Sequence, residues 1–265
     1  MRTLLLLGLV ALATAAEFVV TPTVVGEFPH YYENCVGSCH ALMALRADWR
    51  EQMKKAHDEL GFKMVRFHGL FDDDMSVLLS VTENGTLQLS LYNVFSVFDF
   101  LRSIDMRPIV ELSFMPEALA SGKDTIFHYK GNITPPKSYA QWNDFIRQFM
   151  QGLIAPFDGP SPVILSLNCG FFTGTQAQYF ELLENTVRTI KGVDTRIPVG
   201  GPATCQTAWI AETVAYAQQH NFPLDFVSTH EYPTDVEPVR RDIMKQVVLK
   251  ARAQAGGLPV FYTGP

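Results

Sequence analysis

Side chains able to move protons or orient a ligand collect at the ends of short apolar runs. The run 63–68 carries Arg66 and His68, with Asp72, Asp73 and Asp74 just beyond it. The run 107–114 carries Glu111, and 163–167 leads into Ser166, Asn168 and Cys169. The run 225–229 is followed by His230, Glu231 and Tyr232. Two carboxyl groups held at a fixed separation could share acid, base and nucleophile roles. Glu111 suits a structural or ligand-contacting role, Glu231 ahead of Tyr232-Pro233 reads as facing solvent, and the three Asp read as a solvated loop. A Ser or Cys nucleophile finds no support: there is no Gly-x-Ser-x-Gly elbow, and no His is placed beside Cys169 by sequence. Cys35-x-x-x-Cys39-His40 with His30 matches no common zinc spacing, so no metal is expected. No glycine-rich phosphate loop follows the first strand, so no nucleotide cofactor is expected either.

Helix-like segments separate these runs. Residues 48–60 place Trp49, Met53, Ala56 and Leu60 on one face, and 92–103 and 139–154 are helical. Residues 175–191 carry Tyr179, Leu182, Leu183, Thr186 and Ile190 at helical spacing, and 208–220 and 237–255 complete the set. Trp49, Trp142 and Trp209 lie on helices and are expected to pack against a sheet. Short apolar strands alternating with helices mean a parallel sheet covered by helices. The expected fold is α/β, a (β/α)8 TIM barrel. With 18–41 as strand 1, residues 260–263 form strand 7, and the barrel is expected to be incomplete, with strand 8 absent.

The chain has 265 residues, 47% hydrophobic and 18% charged, which suits one large globular domain or two small ones. A formal net charge of −6 argues against a nucleic-acid partner. Met1-Arg2-Thr3, an apolar run over 4–13 and the small-residue exit Ala13-x-Ala15 read as a signal peptide over 1–15. That leaves a domain over 16–265 and places it outside the cytosol, secreted or lumenal (extracellular, lysosomal or vacuolar). No later segment reaches the roughly 20 apolar residues a membrane helix needs, so no membrane partner is expected. Asn84-Gly85-Thr86 and Asn132-Ile133-Thr134 are glycosylation sequons in loop-like surroundings. Cys35, Cys39, Cys169 and Cys205 allow three disulfide pairings, or buried thiols.

Several segments, in one order, carry a resemblance. They are Gly61-Phe62-Lys63-Met64-Val65-Arg66-Phe67-His68-Gly69 with the triple Asp, Val110-Glu111-Leu112-Ser113-Phe114-Met115-Pro116-Glu117, Tyr129-Lys130-Gly131-Asn132 with Thr134-Pro135-Pro136, Val199-Gly200-Gly201-Pro202-Ala203 and 225–230. Together they resemble glycoside hydrolase family 39, which contains β-xylosidases and α-L-iduronidase, collinearly from about Phe28 to Thr263. The resemblance implies a (β/α)8 barrel hydrolysing glycosides with retention, through two glutamates roughly 5 Å apart. It also implies that His68, Asn168, His230 and Tyr232 contact a carbohydrate, a xyloside or uronide, and that no cofactor is used.

The sequence departs from that pattern at both catalytic positions. The family's acid/base Glu lies in an Asn-Glu-Pro-Asn turn ending strand 4, and here that segment is altered to Leu165-Ser166-Leu167-Asn168. Ser166 takes the place of the acid. The nucleophile follows a Tyr-Thr ending strand 7, and Gly264 follows Tyr262-Thr263 here. The expectation is a carboxyl-terminally truncated family member that does not hydrolyse as written. The alternative is a secreted carbohydrate-binding protein without catalysis.

Overall fold

The computed structural model describes residues 26–154, 163–164, 171–234 and 242–263, with the isolated positions 19, 23, 24 and 239. Ser166, Asn168, Cys169, Gly264 and the leader 1–15 lie outside the described residues. Contacts divide the chain into Met1–Tyr31 and Tyr32–Pro265, and every element below belongs to the second unit.

The elements run β1 (Val36–His40), α1 (Ala47–Leu60), β2 (Met64–His68), β3 (Leu78–Val81), β4 (Leu87–Leu89), α2 (Tyr92–Ser103), β5 (Arg107–Glu111), β6 (Thr125–Ile126) and β7 (Gly131–Asn132). They continue with α3 (Tyr139–Ile154), β8 (Val163–Ile164), α4 (Gln176–Val193), β9 (Val199–Cys205), α5 (Ile210–Gln219), β10 (Phe226–His230), α6 (Ile243–Gln254) and β11 (Val260–Tyr262). One seven-stranded sheet has the order β1-β2-β5-β8-β9-β10-β11, and its neighbours pair in parallel. Among the described residues six α-helices cover it, as the alternation of periods predicts. Local chemistry sets the start of α4. At α4, Thr175 and Gln178 form a reciprocal capping box, with Thr175 Oγ1 accepting from the Gln178 amide at 3.2 Å and Gln178 Oε1 from the Thr175 amide at 2.8 Å.

Alternation along the strands sorts the side chains into two layers. Val65 and Phe67 of β2 and Val110 and Leu112 around β5 join the large core under the helices. That core also takes the buried face of α3, with Trp142, Phe145, Phe149 and Leu153, and that of α4, with Leu182, Leu183 and Ile190. On the opposite face, Met64, Ile109, Ala203, Phe226 and Phe261 pack together with Cys35. These come from strands at both ends of the sheet order, so the sheet curls strongly about this inner cluster. Arg66 Nη1 on β2 reaches the carbonyl of Thr263, just past β11, at 2.7 Å. Among the described residues β1 and β11 do not pair, so the sheet curls like a barrel wall without closing.

Gly200 on β9 shows how tightly the wall is built. A Cβ there would lie 2.4 Å from the Phe226 carbonyl oxygen on β10, a backbone atom that cannot move without breaking the ladder. Gly200→Ala is expected to cost about 1–3 kcal/mol by overpacking. The check is the urea unfolding midpoint, and an unchanged midpoint would contradict this geometry.

Several details differ from the sequence reading. Among the described residues of 18–41, the strand is β1 alone. Two antiparallel hairpins, β3–β4 and β6–β7, interrupt the alternation. The sequon at Asn84 sits exposed in the β3–β4 turn, where Asn84 Oδ1 accepts from Thr86 Oγ1 at 3.0 Å. Asn132 does not lie in a surface loop: it is 4% exposed, and its Nδ2 donates to the Gly122 carbonyl at 3.0 Å. Its neighbours account for the burial, because Asn132 Oδ1 also accepts from the Thr134 amide at 2.9 Å. Cys35 and Cys39 carry free thiols rather than a disulfide. Burial pushes the Cys35 thiol up to about 11.

Candidate functional site

In parallel sheets wrapped by helices, ligand groups gather where the strands end at their carboxyl side. His40 ends β1, His68 ends β2, Glu111 ends β5, His230 ends β10 and Tyr262 ends β11. They therefore share one rim. The inner face there changes from apolar to charged over two residues: Met64 then Arg66 on β2, and Ile109 then Glu111 on β5.

Glu111 is the hub of this rim and is fully buried. Arg66 Nε stands 2.7 Å from Glu111 Oε2, a buried ion pair whose N–H is out of line for a hydrogen bond. His68 Nδ1 lies 2.7 Å from Oε1, and Ser113 Oγ donates to the same oxygen at 3.0 Å. The carboxylate can only accept, so His68 carries its proton on Nδ1. Burial alone would raise the Glu111 carboxyl. The Arg66 charge, the His68 ring and the Ser113 hydroxyl together outweigh burial and hold it at about 2. A carboxyl so acidic cannot donate a proton near neutral pH. Its chemistry is to anchor His68, whose side chain stays 23% exposed at the rim.

Ser113 extends the anchor to the next loop. Its Oγ accepts from the Gly69 amide at 3.0 Å, and its carbonyl accepts from the Phe71 amide at 2.7 Å. Arg66 thus has a supporting role, joining β2, β5 and the end of β11.

On the other side of the rim, Thr229 Oγ1 donates to the Thr204 carbonyl at 2.6 Å, and the Thr263 amide donates to the Thr229 carbonyl at 2.9 Å. His230 and Tyr232 follow, their rings meeting edge-on at 6.4 Å, and Tyr232 is 47% exposed. His68, His230 and Tyr232 are therefore on one rim with polar or aromatic faces partly open. Glu231 does not face solvent as the sequence suggested: it is 2% exposed. Val227 of β10 packs outward with α5 and α6, and Glu231, one residue past the strand, has the same parity, which places it on the helix-covered side of the sheet. Burial and the Glu231 charge push the Tyr262 hydroxyl up to about 12.

The triple Asp is not one solvated loop either. Asp73 is exposed, whereas Asp72 is 3% exposed and Asp74 half-buried, both beside His40. Asp72 starts a 3-10 turn with Oδ1 accepting from the Asp73 amide at 3.2 Å, which turns its other oxygen inward.

Comparison with known proteins decides the family. The profile described as Glycosyl hydrolases family 39 matches residues 20–256, most of the chain. The chain belongs to glycosyl hydrolases family 39. A β-xylosidase of Caldicellulosiruptor saccharolyticus is 44% identical over 259 residues, covering 90% of this chain and 53% of that protein. A β-xylosidase of Geobacillus stearothermophilus is 34% identical over 220 residues, covering 78% of this chain and 43% of that protein. Among solved structures, a family 39 β-xylosidase from Caulobacter crescentus matches with a TM-score of 0.81 at 30% identity, over 92% of this chain and 56% of that one. The chain therefore spans about half the length of the curated relatives it matches. The residues that built this rim fall within the family 39 match: Arg66, His68, Glu111 and His230 all lie inside 20–256. No described helix is long and apolar enough to cross a membrane.

Proposed function

We propose that this chain carries the sugar-binding rim of a β-xylosidase-like family 39 protein and does not hydrolyse glycosides as written. His68, His230 and Tyr232 on the rim, with Asn168 outside the described residues, are the groups assigned to the carbohydrate. The ligand is a xyloside, or a uronide of the same pyranose class. Retaining hydrolysis needs two carboxyl groups roughly 5 Å apart, one of which must donate and retake a proton. Ser166 and Gly264 stand at the two positions where the family resemblance asks for glutamates.

The observation that carries the reading is the state of Glu111. Both of its oxygens are engaged by Arg66, His68 and Ser113, and its acidity is far too great for a general acid. The fully buried carboxyl at the rim therefore supports the site without replacing the missing acid. An exported location rests on the 1–15 leader and on the exposed sequon at Asn84.

The test is release of nitrophenol from a nitrophenyl β-xyloside by the purified chain. The expected rate equals the buffer background, alongside calorimetric binding of xylosides that His68→Ala weakens. Turnover at enzymatic speed in the purified chain would overturn the proposal.

A further inference from the structure

The His40, Asp72 and Asp74 side chains meet beside the anchored rim, at the carboxyl end of β1 and the start of the β2–β3 loop. Each of the three residues offers one ligand atom, and these atoms lie within 4.8 Å of one another. His40 Nε2 stands 3.4 Å from Asp72 Oδ2 and 3.4 Å from Asp74 Oδ1. That is long for a charge-assisted hydrogen bond, which closes to about 2.7–2.9 Å. It matches the edge of a tetrahedron whose corners lie about 2.1 Å from a central zinc ion.

None of the three atoms has a hydrogen-bond partner, although His40 is 5% exposed and Asp72 3% exposed. Buried polar atoms without partners are rare in folded proteins and call for an explanation. A protonated imidazole offers only one N–H from Nε2, which cannot serve both carboxylates. A dication satisfies all three atoms at once and balances the two negative charges.

The imidazole is also held ready. The His40 ring stacks on Tyr129 with centroids 3.8 Å apart and planes at 22°. On the ring's flank Gly69 adopts φ +76°, a left-handed conformation open to glycine, and a Cβ there would approach His40 Cδ2 to 2.8 Å. Asp72 is fixed through its other oxygen by the Asp73 amide.

We propose that His40, Asp72 and Asp74 form a binding site for a divalent transition-metal ion of the zinc class, with three protein ligands and a fourth position for water or a ligand oxygen. The site is separate from the Glu111 hub, which has its own counter-charges.

The experiment uses the full chain, stripped with a chelator, dialysed, and titrated with Zn2+ by calorimetry. One equivalent is expected to bind, and Co2+ is expected to give the visible absorption of a four-coordinate N/O site without a thiolate charge-transfer band. Asp74→Asn, the least buried change, is expected to weaken Zn2+ binding at least about tenfold while leaving the circular dichroism unchanged. His40→Gln is expected to do the same, and Cys39→Ser to leave binding intact. Absence of saturable Zn2+ binding overturns the proposal, and so does binding unchanged in Asp74→Asn or lost in Cys39→Ser. If His40→Gln fails to fold, Asp74→Asn decides alone.

Discussion

Arg66→Met is expected to destabilise the chain by about 3–5 kcal/mol, the usual effect of stranding one partner of a buried ion pair. The reason is Glu111, fully buried and left with a negative charge facing an apolar side chain. His68 and Ser113 would still hold one of its oxygens, but nothing would balance the other. The change also cuts the bond to the Thr263 carbonyl and so loosens β11. Combining Arg66→Met with Glu111→Gln removes the charge as well and is expected to cost less than Arg66→Met alone. Urea unfolding monitored by circular dichroism measures both, and a loss below about 1 kcal/mol for Arg66→Met would show that the pair does not bear on stability.

The same carboxylate sets a dependence on pH. Its folded-state value of about 2 lies below its ordinary 4.5, so its contribution to stability is complete above pH 4.5. That contribution fades as the solution is acidified from 4.5 towards 2, because the unfolded chain takes up the proton first. In Glu111→Gln this part of the acid sensitivity should be missing.

Trp142→Ala is expected to cost a further about 3–5 kcal/mol, through a different mechanism. Trp142 is completely buried on α3, and its ring meets Phe71 at 6.1 Å and Phe145 at 6.0 Å. Its Nε1 donates to Thr186 Oγ1 on α4 at 2.8 Å, so one side chain both fills the α3–α4 seam and bonds across it. Truncation leaves a cavity that rigid neighbours cannot fill. Thr186 keeps its own bond to the Leu182 carbonyl at 2.7 Å, so the loss comes mainly from packing. Trp142→Phe, which keeps an aromatic ring, is expected to cost less than half as much. Equal losses for the two substitutions would shift the weight from packing to the indole hydrogen bond.

Much of this architecture can be read from residue order. The bounds of α2 and α3 follow the apolar period of 92–103 and 139–154 residue for residue, because one face of each helix is buried and the other is wet. The strands are short and apolar on the helix side, and on the inner side apolar below the rim, as a sheet with helices outside and side chains inside requires. What sequence order hides is convergence. Asp72 looks like part of an acidic surface loop until the fold brings His40, some thirty positions earlier, against it. Asn132 reads as a loop residue because its neighbours are polar, yet it is buried by hydrogen bonds to Gly122 and Thr134. The β3–β4 hairpin did have a local signal: Asn84-Gly85, with Gly85 at φ +86°, is a turn dipeptide as much as part of a sequon.

The bond from Arg66 to Thr263 spans 197 positions. At translation speeds of roughly 5–20 residues per second, roughly 10–40 s separate the appearance of its two ends. For the later part of that interval a growing polypeptide has β2 and β5 available but no carbonyl for the Arg66 guanidinium to grip. Ribosome-bound intermediates are therefore expected to hold the first half of the wall without its final clasp, and proteases should find them softer than the released product.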